Sequence, residues 1–221
     1  MIELLLALTL QASTPSVPLV CALTEADRKT NRGLSFQDFD QGGSDLPHTG
    51  WNLTMAGCHA QAVEAEADYL LHGPPLADRE RVVIRWHMAQ GRARLERRAE
   101  AAALALSAIQ DTPPQEDGFD WNAYVRGAHG YLTGDRALLD SSLAALRAAP
   151  GQRNAINADA LARLSRCFDR PYSRGDRDRR LRRRLNPSLT PRGHSVDERR
   201  RRWRDGPGRR QRVIRRSSSC A

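Results

Sequence analysis

Lysine is almost missing from this chain, since Lys29 is the single lysine among 35 basic residues. Aromatic residues are also scarce, at 5% of the 221 residues. Alanine and leucine dominate the hydrophobic fraction, which is 40% of the chain. A composition rich in alanine, leucine, arginine and glutamate and poor in β-branched residues favours helix over sheet. The composition therefore predicts an all-α protein.

The short motifs of several enzyme and cofactor classes are also missing. The chain has four cysteines but no CxxC pair, which excludes a zinc ribbon and a thioredoxin-type site. It lacks HExxH, GxSxG, a P-loop and GxGxxG. The pairs His59/Glu64 and His72/Asp68 offer two ligands each, whereas a structural zinc site takes four. We therefore predict no catalytic residue, no cofactor and no metal.

No apolar run is long enough to span a bilayer, which takes about 20 residues. The run Leu4–Leu10 instead has the length of the apolar part of a secretory signal peptide, which predicts a leader over residues 1–22. Glu3 and the lack of a basic residue before the run argue against a leader. We predict a periplasmic or secreted protein with no transmembrane segment. The alternative is a cytoplasmic protein with an ordinary apolar N-terminal segment.

Two cleavage sites suit such a leader. Small residues allow cleavage after Ala22 or after Ala12. A lipoprotein signal needs a small residue before the lipidated cysteine, and Val20 fits poorly before Cys21. Among the cysteines, Cys21 with Cys58 is the more plausible disulfide, whereas Cys167 on an apolar stripe is predicted to be free and buried.

The positive charge of the chain lies in its C-terminal part. Residues 171–221 hold 18 arginines against five acids and carry +13, whereas residues 1–170 carry −4, which together give the net charge of +9. A segment so charged and so poor in apolar residues predicts a disordered basic tail over residues 173–221. Three interpretations stay open for it: a frameshift product, an inert tail, or an arm that binds nucleic acid or another anionic surface.

Residues 50–172 show repeated helical periodicity, broken by glycine and proline. Successive amphipathic helices joined by alternately short and longer loops predict stacked antiparallel hairpins. The segment 23–49 is predicted to be partly ordered, with a short helix that begins at Thr24 to Asp27, and Phe36 and Phe39 are expected to dock onto the stack. The predicted helices cover Trp51–Ala56, His59–Leu71, Ala77–Leu95, Arg97–Gln110, Trp121–Leu132, Leu138–Leu146 and Asn154–Phe168.

The apolar stripes of these helices predict their buried faces. The stripe of the helix after Asp120 is the clearest, and Asp120 is well placed as its N-cap. It contains Trp121, Tyr124, Val125, Ala128, Tyr131 and Leu132. The helix from Arg97 to Gln110 is predicted to bury Ala99, Ala102, Ala103, Leu106 and Ile109.

The hairpin from Asp120 to Leu146 resembles a tetratricopeptide repeat. Ala128 is a small residue followed three positions later by the aromatic Tyr131, and then come a turn and a second helix. Asp140 departs from the pattern, because it stands near a position that should be small and apolar. The resemblance covers residues 50–172 and extends to uncharacterised bacterial tetratricopeptide-like proteins. It implies an α-α superhelix and no particular activity.

Stacks of this kind present extended concave surfaces to partners. We therefore predict a non-enzymatic scaffold that binds an unknown protein or peptide, and the aromatic cluster Trp121, Asn122 and Tyr124 is its candidate binding surface. The alternative for these three residues is a structural role between hairpins. The alternative function is binding of nucleic acid or an anionic surface, and it depends only on the arginine-rich tail.

Overall fold

A computed structural model describes residues 19–111 and 118–173 of the chain. Every regular element within these ranges is helical, so the prediction of an all-α protein is confirmed there. The chain divides into two compact units, residues 1–75 and 76–221, here called unit 1 and unit 2. The residues before position 19 and after position 173, with most of the predicted leader and tail, lie outside the described ranges. The predicted domain boundaries stay a prediction.

The described residues of unit 1 form one turn of 3-10 helix and four α-helices. The side chain of Thr24 accepts a hydrogen bond from the Asp27 amide while Asp27 bonds back to the Thr24 amide, which confirms the predicted helix start. The elements are the turn Leu19–Cys21, α1 Glu25–Asn31, α2 Phe36–Asp40, α3 Gly50–Ala56 and α4 His59–His72.

The core of unit 1 forms where α2 meets α4. The Phe39 ring is fully buried and lies parallel to the Tyr69 ring, with 3.9 Å between centroids. The Tyr69 hydroxyl donates to the Leu34 carbonyl at 2.8 Å, so its polar end is also satisfied. The predicted docking of Phe39 is thus confirmed, while Phe36 is only half-buried.

Covalent and ionic contacts fasten α1 and the turn before it to α4. Cys21 forms a disulfide with Cys58, the N-cap residue of α4, with 5.3 Å between their Cα atoms. The Arg32 guanidinium donates to both oxygens of Asp68, at 2.7 and 2.9 Å. Such a two-pronged pair is the stronger form of an arginine–carboxylate contact. The prediction of a Cys21–Cys58 bridge is confirmed.

In the described residues of unit 2 each helix contacts the next along the chain. Gly134 takes the left-handed conformation at the end of α7, with φ of +80°, and so allows the short turn into α8. The Asp120 side chain accepts from the Ala123 amide at 2.9 Å, which confirms it as the N-cap of α7. The helices are α5 Asp78–Arg94, α6 Arg98–Ser107, α7 Trp121–Thr133, α8 Arg136–Ala148 and α9 Gln152–Arg166.

The predicted buried face of α6 is wrong at three of its five residues, whereas Ala102 is buried and Ile109 packs against the core as predicted. Leu106 is 54% exposed, and Ala99 and Ala103 are exposed with it. The helix instead buries small residues that include Ala101, Ala105 and Ala108. These alanines let the backbone of α6 approach α5 and α7 closely. The close packing of the alanine face against both helices is favoured over the burial of Leu106 alone.

The prediction of a free thiol at Cys167 is also wrong. Cys167 is buried, as expected, but it is disulfide-bonded, and its partner lies outside the described residues. No cysteine within the described ranges is free. Burial on an apolar stripe predicted the environment of this residue and gave no information on its pairing.

Candidate functional site

Trp121, the first residue of the candidate surface, lies in the core of unit 2. Its side chain is 7% exposed, and its indole N–H donates to the Ala108 carbonyl at 2.7 Å. The ring also meets the Trp86 ring edge-on, at 6.4 Å between centroids. Trp121 therefore joins α7 to the end of α6 and to α5, and it presents little area to a partner.

Asn122 is half-buried and ties α7 to the segment after α6. Its amide nitrogen donates to the Gln110 carbonyl at 2.7 Å, and its amide oxygen accepts from the Gln110 N–H at 2.9 Å. Both polar ends of the side chain are thus used within the protein. A partner that bound Asn122 would compete with these two hydrogen bonds.

Tyr124 is half-buried and joins α7 to α5. Its ring meets the Trp86 ring edge-on at 5.1 Å, and its hydroxyl accepts from the Gln90 amide at 3.3 Å. Trp121, Asn122 and Tyr124 are therefore close together, as the sequence suggests, but each is engaged with a neighbouring helix or segment. The contacts describe a structural role, and a binding role for the three residues stays a prediction.

A different strip of α7 faces outward. Buried residues occupy most of this helix, and its fully exposed positions are Arg126 and Thr133, with His129 half-buried between them. Thr133 bonds back to the His129 carbonyl at 2.9 Å, so its hydroxyl is occupied. We call Arg126 and His129 the α7 strip. The sequence analysis overlooked this strip, although the polar residues at positions 122, 126, 129 and 133 mark one face of an otherwise apolar helix.

The α7 strip lies on a helix that is held on all its other faces. Gly127, next to Arg126, lets α7 approach α9 so closely that an added Cβ would lie 2.3 Å from Leu161 Cδ1. Helices α6, α8 and α9 all contact α7, and the rings of Trp86 and Tyr124 add contact with α5. The strip is therefore carried by a rigid element, which suits a surface that must hold a fixed shape.

The C-terminal end of α7 is fixed by buried polar contacts. Arg98 donates to the Tyr131 carbonyl at 2.6 Å and to the Leu132 carbonyl at 3.2 Å, so it binds two backbone acceptors in the last turn of the helix. The Tyr131 hydroxyl donates to the backbone after α9, at the carbonyls of Cys167 and Arg170. Burial raises the pKa of the Tyr131 phenol, so it stays a neutral donor.

Several of the long-range side-chain contacts of unit 2 have sequence separations of 33 to 39 residues. They include Gln90 with Tyr124 and Arg98 with Leu132, each pair 34 residues apart, Asp120 with Asn154, also 34 residues apart, and Tyr131 with Cys167, 36 residues apart. Unit 1 shows the same spacing on its own, with Arg32 and Asp68 36 residues apart.

Unit 1 also buries two acids that sequence reasoning did not single out. Asp40 and Glu66 are each 1% exposed, and carboxylate oxygens of the two lie within 4.8 Å of each other. Neither side chain is free, because both interact with other groups of the protein. We therefore assign no ligand to them. His72 and Asp68 are one of the acid–histidine pairs considered above. The hydrogen bond from Arg32 lowers the Asp68 pKa most, and the charge of His72 has a smaller effect in the same direction.

Within the described ranges no helix is both long and apolar enough to cross a bilayer. Comparisons of the chain with models of protein families, with curated proteins and with solved structures found no match.

Proposed function

We propose that unit 2 is a tetratricopeptide-like helical repeat that acts as a non-enzymatic scaffold and binds an extended protein segment. The observation that carries this proposal is the sequence separation of the long-range side-chain contacts in unit 2, which lies between 33 and 39 residues for several of them. Tetratricopeptide repeats are about 34 residues long, so equivalent positions of neighbouring repeats meet at about that separation. The contacts of Gln90 with Tyr124, of Arg98 with Leu132 and of Asp120 with Asn154 have a separation of 34 residues.

The way the helices cover each other supports the same architecture. In a repeat stack each hairpin covers the apolar face of its neighbour, so stability comes from contacts between adjacent repeats. Asn154 at the start of α9 is 1% exposed and accepts from the Asp120 amide just before α7. It also donates to the Gly118 carbonyl at 2.9 Å. One buried side chain thus connects the starts of two successive hairpins.

The α7 strip is the binding surface that this geometry favours. Arg126 is exposed and forms no ion pair with another described residue. A guanidinium that no described residue neutralises suits a carboxylate, which it can bind through two hydrogen bonds. We therefore propose that the bound segment carries an aspartate, a glutamate or a terminal carboxylate opposite Arg126, with His129 contacting its backbone or a neighbouring side chain.

The disulfides support an oxidising location. Cys21, Cys58 and Cys167 are all bonded, and such bonds persist outside the reducing cytoplasm. We therefore keep the periplasmic or secreted location as part of the proposal. The alternative function, nucleic-acid binding through the arginine-rich tail, stays a prediction, because those arginines lie outside the described residues.

Site-specific photo-crosslinking tests the proposed surface. A photoreactive amino acid would replace His129 in the full chain, which keeps Arg126 in place, and a matched control would carry it at Arg147, an exposed arginine on α8. We expect discrete crosslinked products from position 129 in cells of the source organism, and none from the control. Equal crosslinking at both positions, or none at position 129, would count against the proposal.

A charge swap adds a second readout. Replacing Arg126 with glutamate should abolish the crosslink formed from position 129, because it places two negative charges opposite each other. Circular dichroism should be unchanged, since Arg126 is exposed and supports no other described side chain. A crosslink that survives the charge swap would contradict the proposed carboxylate of the bound segment opposite Arg126.

A further inference from the structure

We propose that Cys167 pairs with Cys220, so that a disulfide joins the end of α9 to the end of the arginine-rich tail. The sequence holds four cysteines. Two of them, Cys21 and Cys58, are joined to each other, and Cys167 is itself disulfide-bonded. Within one chain, Cys220 is the one cysteine that remains as its partner.

The position of Cys167 is fixed by contacts that do not involve its sulfur. Cys167 is the C-cap residue of α9, and its N–H donates to the Arg163 and Leu164 carbonyls at 3.1 and 3.0 Å. Its carbonyl accepts from the Tyr131 hydroxyl of α7 at 3.3 Å. Helices α7 and α9 therefore set the place of the Sγ atom, and a partner sulfur has to come to it.

The chain that follows Cys167 stays against unit 2 as far as the described residues reach. The Tyr172 ring is 5% exposed and meets the Tyr131 ring at 5.9 Å between centroids. The Ser173 N–H donates to a Glu96 carboxylate oxygen at 3.3 Å. The arginine-rich tail thus starts at the surface of unit 2, a few residues from the cysteine to which the bond would return its other end.

Pairing within one chain is favoured over a bond between two copies. Cys167 is 8% exposed, so a sulfur of another copy would have to enter a largely enclosed position. Cys220 of the same chain is 53 residues away along the sequence, and the entropy cost of closing a ring grows only with the logarithm of its length. The length of the intervening chain is therefore no obstacle to the bond.

The bond forms by ordinary thiol–disulfide exchange. The two thiols lose two protons and two electrons as their Sγ atoms join, and a small-molecule or protein disulfide takes these up and becomes two thiols. The proposed export places the chain where such oxidants act, so pairing in the cell rests on the proposed function. The choice of partner is a property of the chain and can be tested with purified protein.

The pairing makes the tail part of the folded product. It closes residues 168–219 into a covalent ring, and all 18 arginines that follow position 170 lie inside that ring. Both ends of the arginine-rich segment are then tied to α9. A frameshift product would contain Cys220 only by accident, so the bond argues for the tail as a genuine part of the protein.

The test uses the full chain, reduced and unfolded, then refolded at micromolar concentration in a glutathione redox buffer and alkylated without further reduction. Trypsin cuts after arginine except before proline, so it places Cys167 in residues 167–174 and Cys220 in residues 217–221. Mass spectrometry should find these two peptides linked, and a reductant should separate them. The bond between Cys21 and Cys58 serves as the internal control for correct refolding.

Three results would overturn the pairing. They are alkylated Cys167 and Cys220 in a chain that has formed the control bond, a bond from either residue to Cys21 or Cys58, and a covalent dimer linked through either residue.

Two matched variants identify the partner. Cys220→Ser should leave Cys167 carrying the alkyl group or glutathione, with the control bond intact, whereas Ser219→Ala should keep both bonds. A monomeric Cys220→Ser chain in which Cys167 is still bonded to another cysteine of the chain would refute the proposal.

The same peptide map of the chain purified from cells separates this proposal from the proposed export. Four alkylated cysteines in a chain found in the cytoplasm, with the linked peptides present after refolding, would refute export and leave the pairing. An exported chain with the control bond but with alkylated Cys167 and Cys220 would refute the pairing and leave export.

Discussion

The close approach of α7 and α9 at Gly127 yields the sharpest stability prediction. A Cβ at this position would lie 2.3 Å from Leu161 Cδ1 and 3.0 Å from Ser142 Cβ. Carbon atoms in contact prefer about 3.5–4.0 Å, so Gly127→Ala forces Leu161 to move. Leu161 is fully buried and has little room to do so.

Two opposing terms set the magnitude. Overpacking a well-filled site costs about 1–3 kcal/mol, and replacing a helical glycine with alanine gains about 1 kcal/mol. We therefore expect Gly127→Ala to lower the free energy of unfolding by about 1 kcal/mol. In a Leu161→Ala background the obstructing methyl groups are gone, so the same substitution should raise the free energy of unfolding by about 1 kcal/mol.

The assay is a double-mutant cycle by urea denaturation, with helix content followed by circular dichroism. The difference between the two backgrounds is a coupling energy of about 2 kcal/mol, within the range of residues in direct contact. Single and double variants whose effects add to within about 0.5 kcal/mol would refute the packing of α7 against α9 on which the repeat architecture depends.

Three further predictions concern single interactions. Replacing Cys21 and Cys58 together with alanine should lower the stability of unit 1 by about 4 kcal/mol, since the bridge spans 37 residues. Hydrogen exchange of α4 amides would measure this, and a loss below about 1 kcal/mol would contradict it. Trp121→Phe leaves the Ala108 carbonyl without its buried donor and should cost about 1–3 kcal/mol in urea denaturation; an unchanged midpoint would exclude that role. Burial alone would raise the pKa of Asp27, but hydrogen bonds from Thr24 and His48 outweigh it and lower the pKa from 3.8 to about 2. The stability that Asp27 contributes is therefore present above pH 4 and lost between about pH 4 and 2. An acid titration of Asp27→Asn should lack this loss, and an identical titration would disprove the assignment.

Much of the secondary structure could be predicted, because its determinants are local. The N-caps Thr24 and Asp120 form where the sequence places them. Prolines and glycines end the helices near the expected residues, although α6 stops at Ser107 rather than at Gln110. The stripe of α7 was also assigned correctly at its large side chains Val125 and Tyr131, because burying large apolar side chains contributes most of the packing free energy of a helix.

The candidate site was predicted less well. The sequence pointed to the aromatic cluster around Trp121, and the structure uses those rings to join helices. The α7 strip was overlooked because a short polar spacing does not reveal which face the neighbouring helices leave uncovered.

The amino-acid sequence by itself determined that the described chain is helical and where most helices begin and end, because caps, glycines, prolines and amphipathic periodicity act over a few residues. Only the tertiary structure decided which face of α6 is buried, how the cysteines pair, and that Arg126 rather than Trp121 is available at the surface. The physical reason is that alanine-rich faces of one helix differ little in transfer free energy. Close approach of neighbouring backbones therefore chooses between them, and that approach depends on residues about 34 positions away along the chain.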